Sequence, residues 1–125
     1  MNNNLSTGSL GEDLACDYLK SKGYSIVERN FRKPWGEIDI VCKEKDKTVV
    51  FVEVKTMNEG ELMPEDNMTR SKIGKMKKAA MLYAGYRQKL IDKDRGWRID
   101  MIAITLPSEN NNGAQPKIEH YENIV

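Results

Sequence analysis

The chain has one histidine, His120, and only two cysteines, Cys16 and Cys42, too few and too far apart for a zinc motif. Both cysteines fall at positions expected to face a core, where a thiol behaves as a small hydrophobe. His120 lies near the end of the chain among Glu119 and Glu122 and is not read as catalytic. Long apolar runs are missing too. No stretch would span a bilayer, and residues 1–4 lack the basic and apolar regions of a signal peptide. These absences set aside a zinc protein and a membrane protein and leave the expectation of a cytoplasmic one. Hydrophobic residues at 39% and charged residues at 31% suit a globular chain, and 125 residues fit one domain. The expected organisation is a disordered tail over residues 1–7 and a single domain over 8–125.

Net charge is also nearly absent, at +1, but its distribution is uneven. Residues 70–98 hold 10 basic and 2 acidic side chains, whereas residues 1–69 hold 9 and 13. Within the basic segment Arg70, Lys72, Lys75, Lys77 and Lys78 crowd the start of an expected helix over residues 70–92. Five cations at one helix end are costly unless a polyanion or an acidic site lies nearby. A solvated helix face is the plain alternative. Phosphate contact through Arg70, Lys72, Lys75 and Lys78 is the more economical reading, and it names nucleic acid as the partner.

What the chain does have is strand signal. Ile38, Ile40, Val41 and Cys42 form one β-rich run, and Val49, Val50, Phe51, Val52 and Val54 form another. The polar residues 43–48 between them make a hairpin. Alternation sets Phe51, Glu53 and Lys55 on one face of the second strand, opposite Val50, Val52 and Val54. In the first it groups Ile38, Ile40 and Cys42 against Glu37, Asp39 and Val41. A hairpin closing symmetrically about Asp46 puts Asp39 across from Glu53. Two facing carboxylates repel, so something must offset the charge. Lys55 in a surface ion-pair cluster is one solution. A hard divalent cation is the other, since Mg²⁺ is commonly held by one or two carboxylates and keeps waters for a phosphate substrate. A lysine beside such an ion suits phosphodiester hydrolysis.

The remaining elements follow from periodicity. A helix is expected over residues 9–22, with Leu10, Leu14, Ala15, Tyr18 and Leu19 inward and Gly23 as its stop. Glu12 in its first turn is favoured there by the helix dipole alone. A strand over residues 24–31 leads through Arg32, Pro34, Trp35 and Gly36 into the hairpin. Arg32 touches a phosphate or pairs with Glu28 or Glu37; the residues leave both open. Trp35 is read as a lid on the core edge, with an exposed base-stacking ring as the alternative. A loop is expected over residues 57–68. Thr69 caps the long helix, whose core face runs through Ile73, Met76, Ala80, Tyr83 and Ala84, with Met76 and Met81 read as core filler. Residues 97–106 read as a central strand, on which Arg98 and Asp100 share a face in a structural or catalytic role. Residues 117–121 read as a short edge strand.

The ordered set Gly8, Gly11-Glu12, Ala15, Tyr18-Leu19, Gly23-Tyr24, Asn30, Arg32, Gly36-Glu37-Ile38-Asp39, Phe51-Val52-Glu53-Val54-Lys55, Arg98 and Asp100 resembles the PD-(D/E)xK nuclease superfamily. More narrowly it resembles the YraN-like family UPF0102, itself similar to archaeal Holliday junction resolvases. The likeness runs from Gly8 to about Ile104. Ile38 stands where the superfamily's name has proline, and Met57 where the narrower family usually has a basic residue. The resemblance implies an α/β fold with a restriction-endonuclease-like mixed sheet, in the order α-β-β-β-α-β-β, whose long crossover helix sets the fourth strand parallel to the third. It further implies a Mg²⁺- or Mn²⁺-dependent endonuclease on DNA, branched or structured. Asp39 and Glu53 would bind metal, Lys55 would position the water, and Glu12 would complete the catalytic set. A two-fold homodimer is implied as well, for which the sequence offers the edge strand and the neighbouring Tyr83 and Tyr86. A nucleic-acid-binding module of the same fold without turnover is the alternative.

Overall fold

The computed structural model describes residues 7–61 and 69–125. The tail expected over residues 1–7 therefore lies outside the described residues except for Thr7, which begins the first helix. So does the part of the expected 57–68 loop that covers residues 62–68. The elements in order are α1 (Thr7–Ser21), β1 (Ser25–Lys33), β2 (Gly36–Lys43), β3 (Val49–Asn58), α2 (Arg70–Tyr86), a 3₁₀ turn (Gln88–Leu90), β4 (Trp97–Leu106) and β5 (Lys117–Tyr121). Five strands make one sheet in sequence order. All neighbours are antiparallel except β3 and β4, which run parallel because α2 crosses between them. This is the mixed α/β architecture that the sequence predicts.

Each face of the sheet carries one helix. Ala15, Cys16 and Leu19 of α1 pack on Ile40, Cys42, Val50, Val52, Ile102 and Ile104. On the other face Ala79, Ala80 and Tyr83 of α2 pack on Phe31, Ile38, Val41, Val49, Phe51 and Ile99. Fully burying an aliphatic side chain such as Ile40 or Val52 contributes about 1.5–3 kcal/mol, so the two layers fix the strand order firmly. Both cysteines are buried and unpaired, and burial raises the pKa of each thiol. Among the described residues no helix is long and apolar enough to cross a membrane.

Three sequence expectations are corrected. The long helix ends at Tyr86 rather than at residue 92, because Arg87 leaves helical geometry and its N–H closes on the Tyr83 carbonyl. Leu90 and Ile91 still reach the core, through the 3₁₀ turn. Met81 is 57% exposed and not core filler, since α2 turns Ala80, Tyr83 and Ala84 inward instead. Ile38 does not share a face with Ile40 and Cys42 but packs with Phe31 on the α2 side. The cause lies opposite Asp39: Asn30 takes a left-handed conformation, φ 53°, and the ladder skips the pair that Asn30 and Asp39 would form. Strand alternation slips by one at that point, and the slip reorients Asp39.

Candidate functional site

The β2–β3 hairpin has the expected register, with Ile40 opposite Val52 and Cys42 opposite Val50. Continued one step it would pair Asp39 with Glu53, but the backbone ladder stops at Ile40 and Val52. Beyond it the Asp39 carboxylate replaces the lost backbone acceptor and takes the Val54 N–H at 2.9 Å. Asp39 is thereby held against β3 next to Glu53. Both carboxylates line one small pocket of about 10 Å³ whose apolar wall includes Ile38, Phe51, Met76 and Ile99. Burial first, and the neighbouring Asp39 carboxyl second, push Glu53 up to about 8. Lys72 and Arg32 pull in the other direction but do not win.

Glu12 reaches the same group from α1. Its carboxyl is raised, by burial and then by Asp39, against the opposing pull of Arg32 and Arg29. The helix is seated closely here. A Cβ on Gly11 would collide with the Thr56 side chain of β3, so only glycine lets the first turns of α1 lie against this end of the sheet. Lys55 alternates onto the face of Glu53 and is half-buried, yet among the described residues it pairs with no carboxylate. The ion-pair cluster around Lys55 that would have explained these carboxylates plainly is therefore not formed. The cation that touches Asp39 is Arg32, at 3.4 Å, and its Nε also lies 4.0 Å from Glu37. Glu28, the other partner considered for Arg32, instead binds the Tyr83 hydroxyl at 2.7 Å and approaches Arg87 at 3.8 Å.

Glu53 also borders a cleft of about 500 Å³ lined by Lys33, Pro34, Trp35, Gly36, Glu37, Lys72, Lys75, Met76 and Lys78. The N-cap predicted at Thr69 is present, its hydroxyl accepting the Lys72 N–H at 3.2 Å, and it starts α2 so that Lys72, Lys75 and Lys78 lie at helical spacing along this cleft. Arg70, Lys72, Lys75, Lys77 and Lys78 are all exposed, and none makes an ion pair among the described residues. Arg70 and Lys77 are not among the cleft-lining residues. Trp35 was expected as a core lid. It does rest on Phe31, ring centroids 5.5 Å apart, but 41% of it is exposed and it forms part of the cleft wall. The signal was available: a large ring flanked by Pro34 and Gly36 sits in a tight turn, and such a turn projects into solvent.

A second ionic cluster lies on the α1 face. Asp100 is fully buried and accepts from Arg98 at 2.9 and 3.2 Å, from the Asn123 N–H at 2.8 Å, and contacts His120 Nε2 at 2.8 Å. Burial works to raise its pKa, but hydrogen bonds from His120, Arg98 and Asn123 outweigh it and hold the carboxyl low. Arg98 continues to Glu44 at 2.6 Å and to the Tyr24 hydroxyl at 3.0 Å, and the Tyr18 hydroxyl lies 3.2 Å from His120 Nδ1. Every member has a partner, so the buried charge of Asp100 is balanced within the cluster itself.

Among the described residues no group of three or more His, Cys, Asp or Glu side chains is arranged as a metal cage. The donors that do converge, the oxygens of Asp39 and Glu53, are of the hard type and number that a Mg²⁺-like ion takes when water and substrate fill its other positions. The donor chemistry therefore fits such an ion.

Comparison with known proteins agrees with the extent of these elements. The model of "Uncharacterised protein family UPF0102" matches residues 11–104, from the glycine that seats α1 to near the end of β4. A UPF0102 protein of Geobacter metallireducens is 43% identical over 121 residues, covering 96% of this chain and 92% of its own length. One from Syntrophomonas wolfei is 53% identical over 81 residues, 64% of this chain and 70% of its own. One from Fervidobacterium nodosum is 37% identical over 115 residues, 92% of this chain and 78% of its own. With the family model spanning both helices and the strands that carry Asp39 and Glu53, the chain belongs to the UPF0102 family.

Proposed function

We propose that this protein is a divalent-metal-dependent endonuclease that hydrolyses phosphodiester bonds in DNA, preferentially in branched or otherwise structured forms. The observation that carries the reading is the adjacency of two features: the Asp39–Glu53 carboxylate pair, and a cleft bordered by that same Glu53 and walled by lysines that make no ion pair among the described residues. Asp39 and Glu53 would hold Mg²⁺ or Mn²⁺, which when bound supplies Lewis-acid activation of the phosphate and of a water nucleophile. Lys55 orients the water and stabilises charge developing on the phosphate oxygens. Glu12, electrostatically coupled to Asp39, helps to order that water. Lys72, Lys75 and Lys78 hold the substrate backbone, and Arg70 adds to the same field from the start of α2. Arg32 balances the charge of Asp39 in the resting site and meets a phosphate when substrate arrives.

The Arg32–Asp39 contact also supports the other reading, a nucleic-acid-binding module without turnover, because an arginine seated on the carboxylate competes with a cation. Cleavage assays separate the two. Duplex, flap and four-way-junction DNA incubated with the full chain in Mg²⁺ or Mn²⁺ should be cut, the branched forms fastest, and Asp39→Asn should abolish the cutting. Binding of all three forms with no cleavage in either metal would leave the module.

A further inference from the structure

We infer that Trp35 is a stacking platform for an unpaired base, so that the substrate strand in the cleft is single-stranded beside the scissile phosphate. This rests on the nucleic-acid reading above and narrows it. Trp35 sits in the two-residue turn between β1 and β2, where a buried ring is not required. One side leans on Phe31 at 5.5 Å and an interplanar angle of 55°, and 41% of the residue remains exposed in the cleft that holds Glu53 and the α2 lysines. Its position is fixed by the backbone. Gly36 lies so close to α2 that a Cβ there would meet the Ala79 Cβ at 2.7 Å, which docks the turn on the helix that carries Lys72, Lys75 and Lys78. A rigid aromatic face beside a row of phosphate-binding cations is the arrangement by which proteins hold single strands. In a continuous duplex both faces of each base are covered by its neighbours, so the ring has nothing to stack on unless a base is unpaired or flipped. Charge complementarity favours this occupant over an apolar peptide, since the lysines of the cleft wall outnumber its carboxylates.

The test uses a short oligo-dT and a continuous, fully paired DNA duplex, with the full chain in EDTA so that binding is read without turnover. Fluorescence anisotropy measures affinity, and intrinsic tryptophan emission reports stacking. The comparison is between wild type, Trp35→Phe, which keeps a ring, and Trp35→Leu, which keeps apolar cover over Phe31 without one. Oligo-dT should quench wild-type emission, and Trp35→Leu should weaken oligo-dT binding by about tenfold or more while Trp35→Phe stays within about threefold of wild type. Duplex binding should change by less than about twofold in either variant. Wild-type affinity for oligo-dT in Trp35→Leu, or equal losses on both DNAs, would overturn the platform. If Lys72→Ala/Lys75→Ala/Lys78→Ala weakens binding and Trp35→Leu does not, the phosphate cleft stands and stacking falls. A wild-type chain that binds neither DNA would overturn both.

Discussion

Two carboxylates withdrawn from solvent lie one register step apart on adjacent strands, Asp100 on β4 and Glu53 on β3, and the protein treats them oppositely. Asp100 faces α1 and is surrounded by donors, so that despite complete burial its charge is favoured. Glu53 faces α2, has another carboxyl as its nearest polar neighbour, and holds its proton up to about pH 8. Burial alone therefore does not decide the charge of a carboxylate; the set of partners does. Among the described residues Glu53 forms no ion pair, and the proposed metal ion would complete its charge balance.

The comparison is broken most severely at Asp100. Asp100→Ala leaves His120 Nε2 and the Asn123 N–H without their buried partner and takes one carboxylate from Arg98, and removing one member of a buried ionic group costs about 3–5 kcal/mol. Urea unfolding should show a loss of that order, enough to leave a domain of this size marginal. Glu53→Gln should behave in the opposite way, abolishing metal-dependent cleavage while stability holds, because the amide is neutral like the protonated Glu53 and never takes the charge that burial and Asp39 oppose at higher pH. Asp39→Ala lies between them, losing cleavage and also about 1 kcal/mol for the Val54 N–H that it leaves without an acceptor.

Metal-free pH profiles sharpen the contrast. The folded pKa of Glu53 lies above its ordinary 4.5, so the folded chain keeps a proton that the unfolded chain releases. Its contribution is complete below about pH 4.5 and fades as pH rises toward about 8. Melting temperature in EDTA should fall across that window, and Glu53→Gln should flatten the fall. Asp100 has the reverse sign: its folded pKa lies below the ordinary 3.8, so its stabilisation is present above that value and is lost as acid titrates it. The smallest effects belong to the lysines. Alanine at Lys72, Lys75 or Lys78 should weaken DNA binding evenly across sequences and reduce the salt slope by about 0.9 per contact on duplex DNA. An unchanged slope would assign them to a solvated helix face.

Much of this molecule is legible in its sequence because apolar periodicity and turn residues act locally. The hairpin register, both strands of residues 97–106 and 117–121, the Thr69 cap and the parallel crossover all follow from short-range signals. The misreadings are non-local. No pattern within β2 announces that Asn30, on another strand, turns left-handed and shifts the face of Ile38. For Arg32 the sequence offered a phosphate, Glu28 or Glu37; Glu37 lies directly across the β1–β2 ladder, whereas the contact with Asp39 was not among the expectations. For His120 the sequence shows only the neighbouring Glu119 and Glu122, whereas the antiparallel pairing of β5 sets it opposite Ile102, within reach of Asp100. The hairpin register already brings Asp39 level with Glu53, and that much was legible; that the ladder stops short of the pair and Asp39 binds the Val54 N–H instead was not.

The central claim, that this pair is a cation site, is tested most directly by calorimetric titration of Mn²⁺ into the metal-free full chain at pH 8, beside Glu53→Gln. The account predicts saturable binding of Mn²⁺ to the wild type and an affinity at least about tenfold weaker in a folded Glu53→Gln. No uptake by the wild type, or the same isotherm in both proteins, would contradict it.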